Sequence, residues 1–113
     1  MIVNVSSRAS VHGQRAAEIP YVASKGAVDS FTVGLAHEVA ASGIRVAGVR
    51  PGVVLTDLAL DGEDPAELAR FAESVVPLGR WAEPEEIARA ILWLCSDDAS
   101  YITGTVVDVS GGR

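Results

Sequence analysis

Only one cysteine, Cys95, occurs in the 113 residues. No internal disulfide can form, and a reducing cytoplasm is the compartment this predicts. Long apolar runs are missing too: none approaches the ~20 residues a membrane helix needs, so no membrane partner is expected. The opening Met1-Ile2-Val3-Asn4-Val5 has no basic stretch and no small-residue cleavage site, which argues against a signal peptide. Basic residues are few, nine Lys and Arg against fifteen Asp and Glu, and they form no cluster. That balance speaks against a nucleic-acid partner, and the net charge of −6 serves solubility. What is abundant is apolar: 49% of residues are hydrophobic and mean hydropathy is +0.28, too high for a disordered chain. The length suits one domain.

The apolar segments alternate in kind. Ile2 to Ser6 is nearly continuous and β-branched, as a strand buried on both faces reads. A polar loop spans Ser7 to Ile19. Pro20 then opens a helix to about Ala41, with Gly43 suited to the exit. Small residues line one side of that helix (Ala23, Ala27, Ser30, Gly34), and Phe31, Leu35 and Val39 form an apolar stripe. Packing on more than one side is therefore expected. Ile44 to Val49 reads as a second strand, ended by Pro51-Gly52. A variable loop leads to Asp64 and a short helix from Pro65 through Ser74. Pro84 starts a further helix with Ile87, Ala90, Ile91, Leu94 and Cys95 facing inward. Thr105 to Val109 reads as a third strand before the tail Ser110 to Arg113.

Strands alternating with helices predict a parallel α/β sheet with right-handed crossovers. Three strands is few for such a sheet, so an apolar edge should be exposed. Ligands of open α/β sheets bind beyond the carboxyl ends of the strands. Three polar sites fall there: Ser6-Ser7, Pro51-Gly52 with Thr56, and the C-terminal tail.

Within Tyr21-Val22-Ala23-Ser24-Lys25, the tyrosine and lysine stand on one helix face, roughly 5–6 Å apart at Cβ. A cation in a first helical turn opposes the helix dipole, so it is misplaced for stability. Next to a phenol it has a use. An ammonium and a helix N-terminus both favour the ionised form of a nearby phenol, giving a group able to donate or accept a proton near neutral pH. A hydroxyl at a neighbouring strand end, Ser7 with Ser6 close behind, would hold a substrate oxygen while that proton moves. Each motif alone has a plainer reading: tyrosine packing with lysine in solvent, a Pro-Gly turn, and a serine cap. Their order and placement make the case.

On these residues the chain resembles the short-chain dehydrogenase/reductase family over nearly its whole length. The matching stretches are Ile2 to Ser7, Tyr21 to Val28, Ile44-Arg45-Val46, Val49 to Gly52, Thr56-Asp57, Pro84 to Ala88, Tyr101 to Gly104 and Val107 to Gly112. The resemblance implies a partial Rossmann-like doubly wound sheet comprising the family's C-terminal three strands. It makes residues 1–113 the catalytic portion and leaves the N-terminal dinucleotide-binding half absent. It implies hydride transfer between an NAD or NADP nicotinamide and a small alcohol or carbonyl substrate. Tyr21 would be the acid/base, and Lys25 would tune it and bind the nicotinamide ribose. Ser7 would orient the substrate oxygen, and Pro51, Gly52, Val54 and Thr56 would contact the nicotinamide end. A homo-oligomer is implied for the complete protein.

Three departures from the family pattern stand out. The serine-to-tyrosine gap is one residue longer than usual. Ala47 replaces a usual asparagine. No glycine-rich loop, cofactor-selecting residue, Asn-Asn-Ala-Gly segment or tetrad asparagine is present, so the adenosine and pyrophosphate site is missing. The chain alone is therefore expected to have weak activity or none. The alternative is a non-catalytic fragment or interaction module that associates with a complementary half or a homologous subunit.

Other residues are expected to be structural. His12 is a solvated loop residue bordering the site, with substrate contact as its alternative. His37-Glu38 and Cys95 serve structure, and Trp81 and Trp93 anchor packing or a subunit contact. Asp97-Asp98 lacks partners at metal spacing, so no metal is expected. Asp57, Asp61, Glu63 and Asp64 would make a polar mouth for the substrate region, Leu55 to Pro77.

Overall fold

Three strands, β1 (Ile2–Val5), β2 (Val46–Pro51) and β3 (Thr105–Val109), pair in parallel in the order β1-β2-β3. This is a computed structural model, which describes residues 1–13, 18–61 and 64–113. Glu63 and the middle of the loop expected between Ser7 and Ile19 lie outside the described residues. A single turn, α1 (Ala9–His12), and the long α2 (Ile19–Val39) connect β1 to β2. The turn α3 (Asp57–Leu60), α4 (Pro65–Val75) and α5 (Pro84–Cys95) connect β2 to β3.

Local chemistry fixes the helix ends. Pro20, Pro65 and Pro84 each sit in a first turn, where a missing N–H costs nothing. Asp64 accepts the Ala66 N–H at the head of α4. Beyond α2, a 3-10 turn (Ala40–Ser42) ends at Gly43, whose φ of 71° is the left-handed exit glycine adopts without strain. The end of α5 is met from β2's side: Arg45 donates to the oxygens of Leu94 and Ser96 there, and to that of Ile102 farther along the chain, at 3.0–3.1 Å.

Alternation along the strands sends side chains to two layers. Ala47 and Val49 pack with Ile87 and Leu94 of α5, supported by Val3, Val107 and Val109. The opposite face meets α2: Asn4 donates to Thr32 at 2.9 Å, the Ser6 hydroxyl to the Lys25 carbonyl at 3.1 Å, and Arg50 to Asp29 at 2.9 Å. Helices thus cover both faces, as in a doubly wound sheet. This arrangement corrects the expected crossovers. Both connections step the same way across the sheet, yet α2 and α5 lie on opposite faces. The two crossovers are therefore of opposite hand, and they cannot both be right-handed. The rule describes simple strand–helix–strand units, whereas the second connection runs through three helices.

Burial on α2 departs from expectation. Its fully buried residues are Thr32 and Ala36, while Phe31 is 58% exposed and Ala23, Ala27, Ser30 and Gly34 all face solvent. Within this chain the helix packs on one side only. Cys95, expected in the core, is exposed: α5 buries the line Ile87 to Leu94 and ends as it turns away. Trp93 is exposed and Trp81 half-buried. The outer edge of β1 is open, as foreseen. Ile2 and Ser6 donate to Arg45 and Val49 of the neighbouring chain segment, so Val3 and Val5 turn their main-chain groups outward.

Candidate active site at the strand ends

The carboxyl ends of β1 and β2 and the head of α2 converge on one open cavity of about 840 Å³. Its lining includes Ser7, Tyr21, Lys25, Pro51, Gly52, Val54 and Thr56, every site residue expected from sequence. Parallel strands deliver Ser7 and Pro51-Gly52 to the same end of the sheet, and Pro20 sets the first turn of α2 so that Tyr21 stands beside them. Tyr21 is 45% exposed. The Lys25 Nζ lies 5.7 Å from its centroid and donates to the outward carbonyl of Val5 at 3.1 Å. Ser6 is buried and committed to α2, whereas Ser7 is half-buried and accepts the Ala9 N–H at 3.2 Å. Both serines line the cavity, and Ser7 is the one whose hydroxyl proton is still free to donate.

Three contributions were not visible in sequence. Phe71, Ile87 and Ile91 supply apolar wall, brought in from α4 and α5. Arg113 reaches the cavity from the tail, the third strand end, with its guanidinium 5.2 Å from the Phe71 ring centroid. Behind the wall, Asp29 Oδ2 accepts from Ser10 at 2.6 Å and from Arg50 at 2.9 Å. Burial pushes the Asp29 carboxyl up, but its hydrogen bonds and the Arg50 charge outweigh that and hold it below its usual range. The Ser6 hydroxyl lies near as well, but its proton goes to Lys25, which leaves Ser10 and Arg50 as the partners that matter. Burial likewise lowers Arg50, and Asp29 with Asp108 more than restores it.

The other candidates separate out. His12 lines a small polar pocket with Ser7 and Gly52, outside the main cavity, and its Nε2 accepts from Arg8 at 2.7 Å. None of Asp57, Asp61 or Asp64 lines the cavity, and Asp64 is spent as a helix cap. Thr56 caps α3 through Ala59 N–H while remaining on the cavity wall.

The residues fit the nicotinamide end of a dinucleotide. Val54 pairs with Ala82 in an isolated parallel bridge made by the groups of its neighbours: Leu55 donates to Ala82, and Ala82 to Val53. The N–H and C=O of Val54 itself have no protein partner among the described residues. A carboxamide, donor and acceptor at once, complements such a pair. No glycine-rich cradle for a pyrophosphate accompanies it in the sequence.

Comparison with known proteins agrees with this geometry. The family profile described as Enoyl-(Acyl carrier protein) reductase matches residues 1–113. The uncharacterized oxidoreductase YgfF of Escherichia coli is 49% identical over 99% of this chain, which spans 45% of that protein. A short-chain type dehydrogenase/reductase from Mycobacterium ulcerans superimposes with a TM-score of 0.88 at 38% identity, covering 97% of this chain and 40% of the other. A 4-hydroxyisoleucine dehydrogenase complexed with NADH gives 0.87 at 35% identity, over 98% of this chain and 45% of its own. The chain thus spans less than half the length of these relatives, and by profile, sequence and fold it belongs to the short-chain dehydrogenase/reductase family.

Proposed function

We propose that this chain is the catalytic portion of an NAD(P)-dependent oxidoreductase that interconverts an alcohol and a carbonyl compound through Ser7, Tyr21 and Lys25. The observation that carries the reading is convergence. Three side chains suited to proton transfer and the unpartnered main-chain groups of Val54 line one cavity at the strand ends. A structural relative complexed with NADH supports the choice of cofactor.

When bound, the nicotinamide supplies the acceptor or donor of hydride. The protein manages the proton and the geometry. Ser7 donates a hydrogen bond to the substrate oxygen and fixes its position. In oxidation, the Tyr21 phenolate takes the hydroxyl proton as the carbon–hydrogen bond gives up hydride. In reduction, the phenol returns that proton to the carbonyl oxygen. Lys25, held on Val5, places positive charge beside the Tyr21 ring. The main-chain groups of Val54 orient the carboxamide, and Phe71, Ile87 and Ile91 keep that side of the cavity apolar.

A second reading, an association module, rests on the open β1 edge and the exposed outer face of α2 with Phe31. It is compatible with a homo-oligomer and with docking onto a dinucleotide-binding half. Concentration-dependent sedimentation tests it, and a monomer at every concentration would remove it.

Titration of the purified chain with reduced nicotinamide mononucleotide, followed by nicotinamide fluorescence, tests the main reading without requiring an adenosine site. Saturable binding lost in Lys25→Met and kept in Tyr21→Phe is the expected result. Absence of saturation in a folded sample would overturn it. NADH and NADPH titrated alongside reveal whether the adenosine half adds affinity in this chain.

A further inference from the structure

Arg113 carries a charge that the proposed reaction leaves unassigned. Its main chain is fixed at the third strand end. The carbonyl oxygen accepts from Arg8 Nε at 2.6 Å and Ser110 Oγ at 2.9 Å, and its N–H donates to the Ser110 oxygen at 3.3 Å. The guanidinium lies 5.2 Å from the Phe71 ring centroid, and both residues line the cavity that holds Ser7 and Tyr21.

Four other arginines give their guanidinium groups to protein acceptors: Arg8 to Asp108, Arg45 to three carbonyls, Arg50 to Asp29 and Asp108, and Arg80 to Glu86. Among the described residues, the side chain of Arg113 makes no hydrogen bond and no ion pair. The other cation of the cavity, Lys25, is engaged with Val5, and the acidic residue of the lining, Glu18, does not pair with Arg113. A planar fork laid on an aromatic ring, with its donors unspent, is suited to a carboxylate, which accepts two of its N–H groups side by side.

We propose that Arg113 selects substrates carrying a carboxylate, so that the cavity takes hydroxy acids or oxo acids. The inference rests on the oxidoreductase reading, because it names the substrate of that site. Arg113 meets the charged end and the apolar wall at Phe71, Ile87 and Ile91 takes the carbon chain. The reacting oxygen lies at Ser7 and Tyr21.

Proton–nitrogen correlation spectra of the purified chain, titrated with levulinate and with methyl levulinate, test it. Levulinate should shift the Arg113 Nε–H and the amides of Ser7 and Tyr21 saturably. The ester should bind at least about tenfold more weakly, the loss expected for one charge-assisted contact. Arg113→Gln should weaken levulinate similarly, and Arg113→Lys should recover part of the loss. Equal binding of acid and ester, unchanged binding in Arg113→Gln, or no shift with levulinate would each overturn the proposal. The mononucleotide titration separates the two ideas. Mononucleotide binding without acid selectivity removes the role of Arg113 and keeps the redox reading. Acid selectivity without mononucleotide binding keeps Arg113 as a carboxylate site and removes the redox chemistry.

Discussion

Arg50 donates to Asp29 at 2.9 Å, tying the end of the central strand to α2 one turn beyond Lys25. Because Ser10 donates to the same oxygen at 2.6 Å, one carboxylate joins the loop after Ser7, the helix of Tyr21 and Lys25, and the strand leading to Pro51-Gly52. Asp29→Ala should cost about 1–3 kcal/mol, since it strands two donors at a mostly buried position, and denaturant unfolding measures the loss. The pH dependence has a definite sign. The folded carboxyl is held below its ordinary value of 3.8, so its contribution is full above that value and is lost as pH falls through the folded value. Stability curves should decline below about pH 4, and Asp29→Asn should flatten that part of the decline.

The head of α5 offers an independent titration. Arg80 grips Glu86 through two 2.8 Å bonds, and the Glu83 N–H donates to the same carboxylate at 2.9 Å. Together they lower the Glu86 carboxyl from 4.5 to about 2. Its stabilising effect is therefore present above pH 4.5 and disappears as pH falls toward 2. Carboxyl carbon shifts should show that low midpoint, and Arg80→Ala should move it back upward. A midpoint unmoved by that substitution would refute the assignment.

Gly52 sits where the cavity meets the tail. An added Cβ would come within 2.8 Å of Ser110 Cα and 3.0 Å of the Ser110 oxygen, both main-chain atoms with little room to yield. Gly52→Ala should destabilise by about 1–3 kcal/mol through overpacking. It should also weaken the mononucleotide, because the displaced segment carries Val54. Calorimetry and the fluorescence titration check both effects, and a fully stable variant would contradict the geometry.

Arg45 closes α5 from the head of β2 by satisfying the carbonyls of Leu94 and Ser96, and it holds that of Ile102 beside them. Arg45→Met keeps the stem but strands those oxygens, so a loss of about 1–3 kcal/mol is expected. Hydrogen exchange should show the last turn of α5 opening first. Uniform exchange across that helix would argue against the capping role.

Punctuation made much of the fold legible: Pro20, Pro65 and Pro84 marked helix starts, and Gly43 an exit. Strand ends were less visible because partners decide them. β2 runs on through Arg50-Pro51, opposite Asp108 and Val109, although a proline suggests an earlier stop. The buried line of α2 is hidden in the sequence because it contains Asp29 and Thr32, polar residues whose partners Arg50 and Asn4 lie 21 and 28 positions away. Cys95 follows the helical spacing but lies beyond what a three-stranded sheet covers. The motif residues gather in one cavity as their strand-end positions foretold. Arg113 reads as tail in the sequence because only the fold lays it against Phe71.

The spatial order of the strands repeats their order in the chain, which bears on synthesis at the ribosome. β1 emerges first, β2 pairs with one side of it, and β3 adds beyond β2. Among the described residues no strand after β1 returns to its outer side, where Val3 and Val5 display their main-chain groups and the Lys25 ammonium reaches in. A strand from outside the described residues can therefore pair there while β2 and β3 keep their places in the sheet.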